Sequence, residues 1–369
     1  MIDSCVIEHL WVSVPLTRTI TRWPWVGIRA RTVDTLSISF SHRWKIEMKH
    51  RMKVLAIDLG GTHGHCAIVE DRKVVRSLVV QTMGSRRLEL TLPTLAAALN
   101  ALADEERMPL DHFAGVAIGF CGLVDSAKNR VISTNAKYED APNLDLQAWA
   151  NEELALPLWL ENDARMALLG EWYAGAAAGS NDVVMVTLGT GIGGAAMIDG
   201  RLLTSKHSQA GALGGHFPVR LDGRLCTCGA IGCAESEAAG WSLPGICCEW
   251  PGFEASLLAN VELNFESLFR CADAGDTVAV GVREHCLKVW AANAVALIHA
   301  YDPELLIYGG GVMRSGAMIV KYVQDYVTRY AWTPWGHVQV RAAKLGNTAA
   351  LLGAVPLIAQ GDRSKLNVR

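Results

Sequence analysis

Three times this sequence runs a short apolar strand into a glycine-rich turn: Val54 to Ile57 into DLGGT, Val183 to Leu188 into GTGIGGA, and LLIYG into Gly309-Gly310-Gly311. Glycine lets a backbone turn tightly and bring its N–H groups close to a ligand, and a strand end is where α/β sheets collect ligands. The recurrence also carries a weak echo of two related halves. Around these turns the apolar pattern alternates between strands and helices. HCAIVED and KVVRSLVVQ continue as antiparallel strands, and further short strands fall at Gly115 to Gly119 and Leu158 to Leu160. Helical spacing runs through LTLPTLAAALNALADEE, the alanine-rich ENDARMALLGEWYAGAAAG and KVWAANAVALIHAY.

The chain has 369 residues, more than one typical core needs, so two lobes are expected. Half the residues are hydrophobic and 35 are glycine, a composition suited to a compact α/β protein. A net charge of −3 offers no broad basic surface to nucleic acid or an anionic membrane. No run of 18 apolar residues occurs, which argues against a transmembrane helix. Ten cysteines without a secretion signal point to a reducing compartment, so a cytoplasmic location is expected.

Residues 1–51 stand apart. They scatter Trp and Arg without a sustained period and lack the charged start, apolar block and cleavage site of a signal peptide. The text changes abruptly at Met52, where MKVLAIDLGGTHGHCAIV opens as a strand. Met52 is the expected functional start, and residues 1–51 a poorly ordered, non-conforming extension; a genuine but loosely packed arm is the alternative.

Asp58-Leu59-Gly60-Gly61-Thr62 sets a carboxylate at a strand end beside two glycines and a hydroxyl. The glycines let N–H groups approach phosphate oxygens, Thr62 adds a donor, and Asp58 suits Mg²⁺, directly or through water. Leu188 to Gly194 offers a second nest of the same kind. Either turn alone could be a plain hairpin, and no Walker-type GxxxxGK[ST] occurs. At Glu161-Asn162-Asp163 a strand meets a helix. Asp163 there can accept a hydroxyl proton and Asn162 can bond a neighbouring hydroxyl, or the pair is an ordinary helix N-cap. Spacing alone does not choose between them.

The sharpest motif is His216 with Cys226, Cys228 and Cys233, in GHFPVRLDGRLCTCGAIGCAE. One imidazole and three thiolates complete a zinc tetrahedron, with Gly229 and Gly232 turning the chain back on itself. No ligand position remains for a catalytic water, so a structural site is indicated, the alternative being a reduced cysteine cluster without metal.

Taken in order, AIDLGGT, GFCGLVD, ENDA, LGTGIGGA, the histidine–cysteine knuckle and YGGGV resemble the ROK family (repressors, uncharacterised frames and sugar kinases) of the actin-like ATPase superfamily, from about Met52 to Ile358. The resemblance implies a two-lobed α/β actin-like ATPase (ribonuclease H-like) fold, with one lobe over 52–162 plus 347–369 and a larger, zinc-bearing lobe over 163–346. It implies ATP-dependent phosphorylation of a hexose or N-acetylhexosamine at the 6-hydroxyl, with ATP, Mg²⁺ and structural Zn²⁺ and with a homodimer or homotetramer. Asp163 takes the place of the catalytic base and Asn162 that of a sugar contact. Asp58, Gly60, Gly61 and Thr62 form the first phosphate motif; Thr190, Gly191 and Gly193 form the second. Gly310 and Gly311 fall in the adenosine motif. His216 is implied to bind zinc and face the sugar, Glu235 to contact it, and Asn135 in ISTNAK to be a further sugar ligand.

Two positions depart from the family pattern. Cys121 stands where a proline is usual, and Leu213 stands where the kinases carry a glutamate three residues before His216. The second change bears on sugar preference and on activity, and it motivates the alternative of a sugar-binding pseudo-kinase. The other alternative, a transcriptional regulator of the same family, would need a DNA-binding helix-turn-helix upstream, and Pro15 and Pro24 interrupt any helix there.

Overall fold

The computed structural model describes residues 51–82, 87–134 and 137–361. Residues 1–50 of the expected extension 1–51, the tail 362–369 and the expected sugar ligand Asn135 lie outside the described residues.

The first sheet begins as an antiparallel meander of Lys53–Leu59 (β1), His63–Glu70 (β2) and Lys73–Gln81 (β3). Val116–Phe120 (β4) follows, then a separate hairpin of Gly122–Asp125 (β5) and Arg130–Thr134 (β6), then Leu158–Asn162 (β7). β1, β4 and β7 run parallel, in the sheet order β3-β2-β1-β4-β7. The second sheet repeats the plan. Val183–Leu188 (β8), Ile192–Ile198 (β9) and Arg201–Leu202 (β10) form the meander, and Leu305–Gly309 (β11) and Gln339–Ala342 (β12) add in parallel. Its order is β10-β9-β8-β11-β12. The echo seen in the glycine turns is therefore a duplicated topology: DLGGT joins β1 to β2 as GTGIG joins β8 to β9.

Strand composition follows from position. β1 alternates Leu55, Ile57 and Leu59 into one core with Val54 and Ala56 into another, so it is apolar from Val54 to Ile57, as a strand covered on both faces must be, with Asp58 at the end that meets the glycine turn. On its first face lie Leu92–Glu105 (α1) and Leu146–Leu154 (α2). The two helices central to the fold are Asp163–Ala174 (α3) and Ala349–Gly361 (α9), α9 lying on β1, β2 and β4. The second sheet carries Ala234–Ala238 (α4), Leu243–Cys248 (α5), Phe265–Asp273 (α6), Thr277–Tyr301 (α7) and Gly316–Tyr330 (α8). Helical spacing picked out only the last part of α7. Its start, where Asp276 accepts a hydrogen bond from Ala279 N at 2.8 Å, is masked in sequence by the β-branched run TVAVGV.

α3 touches both halves. Met166 packs with the α9 side of the first sheet, while Leu168 and Leu169 pack against β8, β9 and β11 of the second. It crosses α9 backbone to backbone: a Cβ at Gly170 would collide with the Ala349 carbonyl, and one at Gly353 with that of Met166. Just beyond the crossing the buried Glu171 carboxylate accepts from Lys344 N (2.9 Å) and Leu345 N (2.8 Å) ahead of α9, and from Ala176 N (2.6 Å). No helix among the described residues is long and apolar enough to cross a membrane.

Because neither neighbour of Gly353 is a flexible side chain, Gly353→Ala should cost about 3 kcal/mol of unfolding free energy in urea titration. Wild-type stability in that variant would contradict the close crossing.

Candidate active site

The head of α3 opens into a cavity of about 350 Å³ between the β7 end and the β8–β9 turn. Asn162 is the helix cap: its Oδ1 accepts from Arg165 N at 3.2 Å. Its Nδ2 donates to Gly122 O (3.0 Å) and to Asp163 Oδ1 (2.9 Å), which also accepts from Ala164 N (2.8 Å). The N-cap reading of this motif holds for Asn162. Asn162 caps, and Asp163 faces the cavity with no donor to Oδ2 among the described residues. Burial raises the Asp163 carboxyl above its ordinary range, outweighing the Ala164 N–H, the Lys137 charge and the Asn162 amide, which lower it. Asp58 is pushed up to about 7, first by burial and then by the charge of Asp163.

Two residues later Arg165 is fully buried. Its Nη1 meets Glu161 Oε1 at 3.3 Å, and its Nη2 donates to the carbonyls of Leu203 (3.3 Å), Ser208 (2.9 Å) and Ala210 (2.7 Å). A planar guanidinium can serve several acceptors at once, so it ties the segment leading to Leu213 and His216 onto the helix that carries Asp163. Sequence reading passed over Arg165; its only signal was an arginine four residues after an acid in ENDAR.

The second glycine turn lies on the cavity wall, with Thr190, Gly191 and Gly193 all lining it, as does Gly310. Glu235 lines it too and braces the turn: Oε2 accepts from Ile192 N at 2.9 Å, and Oε1 accepts from Trp241 Nε1 at 3.3 Å. Gly311 falls instead in an adjoining cavity of about 740 Å³, which shares Gly189 and Thr190 with the first and is walled by Phe265 and Arg270. The first glycine turn does not line the smaller cavity. Gly60 accepts from Tyr138 OH (2.8 Å), and the Thr62 hydroxyl pairs with His63 Nδ1 (2.9 Å). The residue between this turn and the cavity is Lys137, absent from the sequence reading. Leu213, 42% exposed, is part of the wall.

His216, Cys226, Cys228 and Cys233 come together, with all ligand atoms within 4.8 Å of one another. Zinc bound at about 2.3 Å to sulfur and about 2.0 Å to nitrogen spaces tetrahedral sulfurs about 3.8 Å apart and a sulfur–nitrogen edge about 3.5 Å. Cys228 and Cys233 sulfurs lie 3.7 Å apart, and Cys226 Sγ lies 3.5 Å from His216 Nδ1. The residues fit the ion. Gly232, at φ 71°, lies so close to the Arg220 carbonyl that no side chain could replace its hydrogen. His216 also lines the cavity, so one ring belongs to both sites.

Two sheets of repeated topology, with glycine turns at corresponding strand ends and an acid at the head of the helix between them, define the actin-like ATPase fold. A sequence profile of the ROK family matches residues 54–361, and the chain belongs to that family. The glucokinase of Thermotoga maritima is 30% identical over 316 residues, covering 84% of this chain and 98% of its own. The N-acetylmannosamine kinase of Citrobacter koseri is 31% identical over 319 residues, covering 85% and 100%. The crystal structure of a ROK family glucokinase from Streptomyces griseus in complex with glucose and AMPPNP matches with a TM-score of 0.70 at 30% identity, over 84% of this chain and 100% of that one.

The knuckle geometry predicts one zinc per chain by elemental analysis. Exhaustive chelation, or Cys228→Ser, should lower the melting temperature; a metal-stripped protein that melts unchanged would refute a structural ion.

Proposed function

We propose that this chain transfers the γ-phosphoryl group of ATP to the 6-hydroxyl of a hexose or N-acetylhexosamine. The observation that carries this reading is the unengaged Asp163 oxygen, aimed into a sugar-sized cavity whose wall is the 189–193 amide turn. The glucokinase and N-acetylmannosamine kinase relatives, and the glucose and AMPPNP held by the Streptomyces protein, support it.

In this reading the nucleoside occupies the larger cavity beside Gly311, and its phosphates run over Gly189 and Thr190 toward Asp163. The sugar sits against Asn162, Glu235 and His216. Asp163 accepts the hydroxyl proton as the oxygen attacks phosphorus; the bond to the β-phosphate oxygen breaks and ADP leaves. N–H groups of the 189–193 turn stabilise charge on the transferred group. Asp58 would hold Mg²⁺, since a carboxyl pushed up by burial and by the neighbouring charge of Asp163 is one that a divalent cation would neutralise. When bound, that cation supplies charge neutralisation at the phosphates, and zinc in the knuckle would stiffen the His216 wall. Closure of 52–162 with the helix after Asn347 onto 163–346 would exclude water.

Leu213 supports a second reading, in which the pocket binds a sugar without transferring phosphate. It lays an apolar, partly exposed side chain on the wall where the family's kinases carry a glutamate. ADP release measured over a panel of hexoses and N-acetylhexosamines separates the two: saturable sugar binding with no ADP formed would favour the second.

Asp163→Asn should lower kcat about 100- to 10,000-fold while sugar affinity survives. Near-normal turnover would remove Asp163 as the base. The base must be ionised and its pKa is raised, so kcat/KM should fall on acidification at a pH above the ordinary carboxylate range. The same shift has a stability sign. A raised carboxyl favours the fold in its protonated form and disfavours it as pH rises through the folded-state pKa, so at pH 8 ligand-free Asp163→Asn should melt above wild type.

A further inference from the structure

Lys137 is the only lysine or arginine among the described residues lining the 350 Å³ cavity. It has neither a salt bridge nor a hydrogen bond among the described residues, so its ammonium is uncommitted. Its tail lies across Gly61 of the first glycine turn: a Cβ on Gly61 would come within 2.5 Å of Lys137 Cδ and Cε and 2.8 Å of Nζ. Its charge also reaches the other side of the cavity, where it acts on Asp163 and on Cys121. One cation therefore lies across the turn that follows Asp58 and lines the cavity shared with the carboxylate at the head of α3.

The backbone beside it is unusual. Tyr138 sits at φ 55°, a left-handed conformation that a bulky side chain adopts only under constraint. Two contacts hold it there: the ring is fully buried and tilted against Phe120 at 5.9 Å, and the hydroxyl donates to Gly60 O at 2.8 Å. The residue after Lys137 is thus fastened to the residue before Gly61.

A phosphoryl group moving toward Asp163 brings negative charge to a place that already holds Asp58 and Asp163. An ammonium without a partner among the described residues, lying across Gly61 and lining the cavity that Asp163 also lines, is the group that could accept it. We infer that Lys137 binds the phosphoryl group in transfer, holding its oxygens between the first glycine turn and Asp163. This rests on the kinase reading and names a residue that carries it out.

The test compares wild type, Lys137→Met and Lys137→Arg, all of full length and checked for unaltered melting. Two readouts are taken: the ratio of ATP to ADP affinity by calorimetry, and kcat with the best sugar substrate. Lys137→Met should lower kcat about 100- to 1000-fold, as loss of one donor to the developing charge does. It should also bring the ATP-to-ADP affinity ratio toward one by weakening ATP alone, and Lys137→Arg should recover part of both. A Met variant with the wild-type ratio, or one that weakens ATP and ADP equally, overturns the inference. If wild type turns over with no sugar, the kinase reading falls by itself. The affinity ratio still decides Lys137: a collapsed ratio supports contact with the γ-phosphate, and an unchanged one refutes it.

Discussion

The arrangement depends on how closely α3 and α9 approach. At Gly170 and Gly353 each helix lays its backbone against a carbonyl of the other, with no room for a methyl group. A crossing that tight has one solution in depth and little in rotation, because no side chain can rearrange to accept another. It fixes α3 against the first sheet through Met166 and against the second through Leu168 and Leu169. Glu171 then staples the end of α3 to the joint before α9. A helix held so firmly can carry a reactive group at its head.

At that head the polar groups divide their work. Asn162 and Asp163 share the helix end, one Oδ1 taking Arg165 N and the other Ala164 N, which leaves Oδ2 of Asp163 without a donor among the described residues. Arg165 points the opposite way, into the protein, where it gathers three carbonyls of the segment leading to the knuckle. A buried arginine whose partners are mainly carbonyl dipoles organises a loop more than it adds stability. One turn of helix therefore orients the acid, the strand end below it and the loop that walls the cavity.

Much of this could be read from the residues. The glycine turns marked β1, β8 and β11, because a parallel central strand is apolar enough to stand out and its turn needs glycine. The knuckle announced itself because four metal-binding side chains rarely crowd into so short a segment. Other features were hidden for a physical reason: their meaning lies in contacts distant in sequence. Gly170 and Gly353 look like tolerated helix glycines until the two helices are brought together. Lys137 follows a hairpin as an ordinary turn lysine, and its place over the first glycine turn shows only once the Tyr138 hydroxyl is seen to reach Gly60, 78 residues away. Asn135, two residues earlier in the same stretch, lies outside the described residues.

The shared imidazole has a practical consequence. His216 closes the ligand set of the knuckle and also walls the cavity, and Cys228 of that set is exposed to solvent. Thiol-reactive or chelating compounds would disturb the cavity from behind. In an initial-rate screen they would register as inhibitors of a pocket they never enter, and only a control with the intact knuckle would tell them from true competitors.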